Sequence, residues 1–262
     1  MGAGADLRLR RTLRLALRAV WDFLGLVCAA SFTVFAALTI PLYATLKAGT
    51  SSYPVLGITS AALAGAALIL GPLYAGICLL AHRALTHDEP TYGLIWSGPA
   101  RFYLRAATCG LIQLLIFAIM AANVLFYLRL GGFAWFILAA LFTYLGIFWA
   151  MNCVYHMPLL VAGEEGVILR EDGGKARQAS VFRNAFLMAS TSPAYTLGLL
   201  AFLLLISAVL TVSGVGAAML GAGIAAFVTT QATRDQLLRF GVVHAPPDPD
   251  ESVEDERWRM RG

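Results

Sequence analysis

Two histidines, an arginine and two carboxylates lie within one short stretch of the chain, residues 82 to 89. The stretch contains His82, Arg83, His87, Asp88 and Glu89. Imidazoles and carboxylates are common metal ligands and general acids or bases. However, the two histidines are five residues apart, whereas a helical metal site favours an i, i+4 pair backed by a carboxylate. Because Pro90 also ends the helix, we predict a solvated helix exit rather than a metal or catalytic site.

The cysteines form a second candidate cluster, together with one histidine. Four predicted helices each contain one cysteine, in the half that lies on the same side in all four: Cys28, Cys78, Cys109 and Cys153. His156 follows Cys153 by about one turn. Such soft ligands suit zinc or copper. There is no CxxC pair, however, and a free cysteine is a common small apolar residue. We therefore predict neither a metal site nor a disulfide here.

Acidic residues in the region that follows residue 162 are the third candidates. They are Glu164, Glu165, Glu171 and Asp172. A carboxylate pair could act as acid and base, but the sequence supplies no partner for it, so a solvated turn is favoured. Glycine-rich phosphate loops, HExxH and GxSxG are also absent from the sequence. We expect no catalytic, cofactor-binding or metal-binding residues and no enzymatic activity.

The amino-acid composition indicates whether the helices that position these residues lie in water or in lipid. Of the 262 residues, 59% are hydrophobic and only 13% are charged, about half the charged fraction of soluble domains. The sequence predicts an all-α fold, a polytopic transmembrane helical bundle that occupies residues 1–243. A proline-rich, charged tail, residues 244–262, is expected to be disordered. The six predicted spans lie near residues 23–46, 55–80, 106–127, 133–161, 194–212 and 215–231.

Basic residues flank these spans asymmetrically. One side carries Arg8, Arg10, Arg11, Arg14, Arg18, Arg83, Arg101, Arg105, Arg170, Lys175, Arg177, Arg183, Arg234 and Arg239, and the other side carries only Lys47 and Arg129. The positive-inside rule therefore predicts a multi-pass protein of the cell membrane with a cytoplasmic N-terminus and C-terminus. The net charge of +4 reflects this orientation, so the expected partner is the lipid bilayer and not nucleic acid.

Each pair of spans is preceded by a stretch that predicts an amphipathic helix at the cytoplasmic interface. The three stretches begin near residues 7, 91 and 175, which leaves open whether the chain contains an internal repeat. Helix starts are predicted at Ser97-Gly98-Pro99 and at Ser192-Pro193, where a capping residue precedes a proline.

Polar groups are scarce inside the predicted spans. No Asp, Glu, Lys or Arg falls near the centre of a span, which disfavours an ion-coupled carrier. Gln113, Asn123 and Asn152 are the strong polar groups there, and each could bond across a helix interface. Pro72 is expected to fix a bend in the second span.

Several short motifs together resemble one family. They are Gly71-Pro72-Leu73-Tyr74-Ala75-Gly76, His82-Arg83, Asp88-Glu89-Pro90, Tyr155-His156-Met157-Pro158-Leu159-Leu160, Asn184-Ala185-Phe186 and Ser192-Pro193. Over roughly residues 10 to 240 the chain resembles the YesL-like family of bacterial integral membrane proteins, a domain of unknown function. The resemblance implies a helical membrane protein associated with carbohydrate uptake, and it supplies no catalytic residues. The charged tail departs from the family pattern.

Two functions are compatible with these features. The first is a non-enzymatic accessory or regulatory membrane protein that contacts transporter subunits through its cytoplasmic layer. The alternative is a small-solute permease or substrate-binding membrane subunit, with a site between kinked helices near Pro72 and Gln113. The sequence leaves the oligomeric state open.

Overall fold

The computed structural model describes residues 2–48, 54–86, 89–166 and 178–242. In these four ranges the chain consists of helices joined by turns. The helices are α1 (Gly2–Asp22), α2 (Leu24–Ala48), α3 (Pro54–Leu85), α4 (Gly93–Leu130), α5 (Phe133–Glu164), α6 (Gln178–Thr191), α7 (Pro193–Val212), a π-helical segment (Ala217–Gly221) and α8 (Ala222–Arg239). The predicted all-helical fold is confirmed for this part of the chain. His87, Asp88, Glu171, Asp172 and the tail 244–262 lie outside the described residues.

Four of these helices have the length and composition of membrane spans. They are α3 from Leu68 onward, α4, α5 and α7, and the bent pair of α1 and α2 raises the number to five if it counts as one span. Long apolar helices of this kind are characteristic of a membrane protein. The sixth span stays a prediction, because α8 carries too many polar side chains in its second half to qualify.

Helix α1 turns sharply away from the spans. Its axis makes an angle of 91° with that of α2, and the break lies at Phe23. One side of α1 is buried through Thr12, Ala16 and Val20, which follow one another at intervals of four residues. This spacing places them on one helical face, so α1 lies across the bundle with that face inward.

Helix α4 does not begin at Pro99 but contains this proline and is kinked shortly after it. It begins at Gly93, and the backbone leaves helical geometry only at Phe102. The prediction of a helix start at Ser97-Gly98-Pro99 is therefore wrong: Ser97 Oγ donates to the Leu94 carbonyl at 2.8 Å, and Pro99 lies inside the helix. The second predicted start is confirmed, since α7 begins at Pro193 directly after Ser192.

The first part of α4 packs against α3 with almost no separation between the backbones. A Cβ atom added at Gly76 would lie 3.0 Å from the Ile95 carbonyl carbon and 3.1 Å from its Cα. A Cβ added at Gly98 would lie 2.6 Å from the Gly76 nitrogen. Pro99 has no N–H to bond the Ile95 carbonyl, so that carbonyl is free to face Gly76. Glycine is required at both positions because backbone fills the space.

The last helix is approached closely by α2. A Cβ added at Gly223 would lie 2.6 Å from Val27 Cγ1 and 2.9 Å from Ser31 Oγ. The Gly223 amide also donates to Ser31 Oγ at 2.8 Å. The absence of a side chain at Gly223 therefore allows α2 to approach α8 closely.

Burial is concentrated at one end of the bundle, which we call the basic end. There α3 and α5 finish, α7 begins and α1 crosses, near Arg83, Arg105 and Arg234. Its core contains fully buried side chains from α3, α4, α5, α7 and α8: Ile77, Leu79, Leu80, Ile95, Tyr155, Leu159, Leu199, Phe227 and Val228. The distal parts of α4, α5 and α7 instead expose large apolar side chains: Leu115, Leu125, Phe126, Phe133, Phe136, Tyr144, Leu204, Leu205 and Val212. A large exposed apolar surface of this kind is compatible with a membrane environment.

Candidate functional site

The described residues of the stretch from His82 to Glu89 differ in their exposure. His82 lies half-buried in the last turns of α3, and Glu89 is exposed. Arg83, between the two histidines, donates from Nη2 to Glu165 Oε2 on α5. The Arg83 side chain is 36% exposed, so it keeps contact with solvent while it connects the ends of two helices.

The acidic pair at the end of α5 is not solvated. The side chains of Glu164 and Glu165 are 8% and 11% exposed. Glu165 pairs with Arg83 and, at 3.3 Å, with Arg101, while Glu164 pairs with Arg105. The expectation of a solvated turn is wrong for both residues, because arginines far away in the sequence cover them. We call these five residues the arginine–glutamate cluster.

This cluster holds three helix segments together at the basic end. Arg101 and Arg105 lie on either side of the kink at Phe102, and both face the end of α5. A carboxylate removed from water is strongly unfavourable unless it is paired and hydrogen-bonded. The three arginines and two glutamates leave one net positive charge, and each glutamate is paired with at least one arginine.

The second half of α8 is polar and buried. Its buried polar residues are Thr229, Thr230, Gln231, Thr233 and Gln236. Gln236 Nε2 donates to Ser192 Oγ at 2.5 Å, Tyr74 and Thr229 hydroxyls lie 3.4 Å apart, and Arg234 donates to the Leu85 carbonyl. Helix α8 is therefore the central helix of the basic end and contacts α3 and the start of α7 through polar groups.

An aspartate on α8 joins α1 to this arrangement. Asp235 Oδ2 accepts from Thr12 Oγ1 at 2.5 Å, and its Oδ1 accepts from Gln231 Nε2 at 2.8 Å. The Thr12 hydroxyl also lies 3.0 Å from the Tyr195 hydroxyl of α7. Burial raises the pKa of the Asp235 carboxyl, and the hydrogen bonds from Thr12 and Gln231 oppose that rise. The group thus fixes the position of α1 over α7 and α8.

Sequence reasoning missed this polar helix. The run from residue 229 to residue 236 reads TTQATRDQ, and such a composition after an apolar span is expected on a solvated extension. The periodicity of the run does not distinguish a buried helix from a solvated extension, because polar residues occur on every side of the helix. One feature of the sequence could have indicated burial of this run. Helices α1 and α7 contain hydroxyl and phenol groups, which can serve as hydrogen-bond partners for the polar side chains of α8.

A second buried polar cluster joins α4, α5 and α6. Gln113 Nε2 lies 2.9 Å from His156 Nδ1 and 3.7 Å from Cys109 Sγ. The imidazole is 1% exposed and packs edge-on against Phe182, with ring centroids 4.6 Å apart. For Gln113 the expectation of a bond across a helix interface is confirmed. Asn123 and Asn152 instead donate to carbonyls of their own helices, those of Ile119 and Phe148.

Three polar atoms beside this cluster have no hydrogen-bond partner among the described residues. They are His156 Nε2, Trp149 Nε1 and Asn152 Oδ1. The residues follow an i, i+3, i+7 spacing, which places them on one face of α5. The Trp149 indole N–H can only donate and the Asn152 amide oxygen can only accept. Buried hydrogen-bonding capacity is therefore left on this face of α5.

The cysteines do not converge with other ligands into a metal site. Cys78 and Cys109 are buried, Cys28 and Cys153 are half-buried, and all four are free thiols. In residues 2–48, 54–86, 89–166 and 178–242, no three His, Cys, Asp or Glu side chains come close enough to hold a metal ion. Pro72 is buried on α3, whereas the Gln113–His156 cluster is built by α4, α5 and α6.

No protein-family model matches the chain, and no curated protein or solved structure is detectably similar to it.

Proposed function

We propose that this chain is a non-enzymatic, multi-pass protein of the cell membrane that acts as an accessory or regulatory component of a carbohydrate-uptake system. Its working surface is the basic end, which faces the cytoplasm. The resemblance to the YesL-like family supplies the link to carbohydrate uptake, and the basic residues supply the orientation.

The observation that carries this proposal is the distribution of burial. The basic end has a packed core and a buried arginine–glutamate cluster, whereas the distal helix halves expose apolar side chains. A rigid, polar surface at one end and a lipid-compatible remainder suit a protein that docks onto a membrane partner. Tyr103 lies between Arg101 and Arg105 of the arginine–glutamate cluster and is exposed. Exposed aromatic side chains of this kind suit protein contacts.

The contacts between the two ends of the chain support six crossings. Thr12 on α1 contacts Asp235 on α8, so both described ends of the chain lie on one side. Gln236 contacts Ser192, so α8 returns to the level at which α7 begins. A chain whose two ends lie on the same side of a membrane must cross it an even number of times. The predicted segment 215–231 supplies the sixth crossing.

Reporter fusions test the orientation. Fusions after Ala48, Gly131 and Ser213 are expected to be external, and fusions at Asp88, Gly173 and the C-terminus are expected to be cytoplasmic. Paired alkaline phosphatase and green fluorescent protein fusions distinguish the two compartments, because the first is active outside and the second fluoresces inside. An external C-terminus would contradict the six-span arrangement and the cytoplasmic assignment of the basic end.

Site-specific photo-crosslinking in native membranes tests the function. A photoreactive residue placed at Tyr103 is expected to capture one discrete transporter subunit, identified by mass spectrometry. The matched control is Tyr144, an equally aromatic and exposed position on the distal part of α5, where only lipid is expected. If Tyr103 gives no discrete product while the fused reporters show correct insertion, the accessory role is wrong.

One observation favours the alternative function, a small-solute permease or substrate-binding subunit. The unpaired atoms of Trp149, Asn152 and His156 form a polar face inside a candidate span, close to Gln113 as that alternative requires. A small molecule that copurifies with the wild-type protein and is lost from His156→Phe would support it. Gln113→Ala should then release the same molecule, whereas the crosslinks at the basic end would be absent.

A further inference from the structure

The outward side of α1 carries arginines next to apolar side chains. Arg10, Arg14 and Leu17 are exposed, and Trp21 at the end of the helix is 75% exposed. These residues lie opposite the buried face of Thr12, Ala16 and Val20. No carboxylate pairs with Arg10 or Arg14 within the described ranges, so both guanidinium groups keep their hydrogen-bonding capacity.

An open groove follows this side of the helix. It is lined by Leu9, Arg10, Leu13, Arg14 and Leu17. The leucines recur every four residues and form one row, and the two arginines form a second row directly beside it. Leu9 also packs onto α7, where its Cδ2 would lie 2.9 Å from a Cβ added at Gly198. The groove is therefore apolar along one side and cationic along the other.

The position of the groove relates it to the membrane surface. Helix α1 is at 91° to α2, and it crosses the start of α7, a candidate span. A helix that crosses the ends of spans at a right angle lies along the headgroup layer, where arginines meet phosphates and leucines meet acyl chains.

We infer that α1 binds one anionic phospholipid in this groove. Arg10 and Arg14 are one turn apart, about 6 Å between Cβ atoms, so both reach the oxygens of a single phosphate. One acyl chain lies along Leu13 and Leu17. Through Thr12 and Asp235 the bound lipid stabilises the position of α1 on α8. This site goes beyond the proposed function, because it does not depend on the identity of a protein partner.

Native mass spectrometry of the detergent-purified full chain tests the site, with phosphatidylglycerol as the probe and phosphatidylcholine as the neutral lipid. The wild-type protein is expected to retain one phosphatidylglycerol preferentially. Arg10→Gln with Arg14→Gln should weaken that adduct by about tenfold or more, because two charge-assisted hydrogen bonds are lost. Arg10→Lys with Arg14→Lys should retain part of the binding.

Arg129→Gln with Arg239→Gln is the matched control, since it removes the same charge at exposed positions outside the groove. Equal loss in the control and the groove variant, or equal binding of phosphatidylcholine, would overturn the site. Competition by glycerophosphoglycerol as effective as that of the lipid would show an anion site without an acyl chain and would also overturn it. Detergent melting curves verify that the variants fold. The crosslink at Tyr103 tests the proposed function separately, because Tyr103 does not line the groove.

Discussion

Gly76→Ala is expected to destabilise the protein by on the order of 3 kcal/mol, because the added methyl group would overlap with atoms of α4. The three nearest atoms that it would meet all belong to the backbone of α4 at Ile95, so no side-chain rotation relieves the overlap with them. The two helices must separate, and the buried side chain of Ile95 then loses its packing. Thermal melting in detergent, followed by circular dichroism, measures the loss.

Gly65→Ala is the matched control in the same helix. No atom lies within 4 Å of a Cβ added there, so the substitution should be neutral or stabilising, by up to about 1 kcal/mol, as for other helical glycines. If Gly76→Ala melts at the wild-type temperature, the close crossing of α3 and α4 is wrong.

Charge reversal in the arginine–glutamate cluster should have the second largest effect. Arg105→Glu and Glu164→Arg each place like charges side by side, and each should cost about 2 kcal/mol. This figure is below the ~3–5 kcal/mol typical of a broken buried pair, because Arg105 is 39% exposed and solvent screens it. Chemical or thermal unfolding in detergent measures both single variants.

The double variant, Arg105→Glu with Glu164→Arg, should recover at least half of the lost stability, because the pair is restored with its polarity exchanged. Arg129→Glu is the control for a reversal at an exposed position without a described ion pair, and it should change stability by less than about 0.5 kcal/mol. A double variant as unstable as the sum of the single variants would show that Arg105 and Glu164 do not interact.

The helices could be predicted from the sequence because lipid requires every backbone polar group to be paired within its own segment. Long apolar runs therefore indicate both a helix and its approximate length, as for α5 and α7. The kink at Phe102 was missed, because Pro99 also fits a helix start. Whether α4 is kinked or starts at Pro99 depends on Gly76, since Ile95 can pack against α3 only where α3 has no side chain.

The partners of the polar side chains could not be predicted in the same way. Glu164 and Glu165 look solvated in the sequence, because the arginines that cover them precede them by about one to two helices. Gln113 was predicted to bond across an interface, but nothing in the sequence identifies His156 as its partner. Pairing of this kind depends on tertiary contacts, for which a single sequence carries no periodic signal.

The central position of α8 has a consequence for the order of biosynthesis. Because α8 follows the other described helices in the chain, Thr12, Tyr74 and Ser192 have all been synthesised before their partners on it exist. The earlier helices can insert and form hairpins, but the core of the basic end closes only when residues 222–239 arrive. A ribosome that stops before α8 therefore releases a protein whose earlier helices lack their common partner.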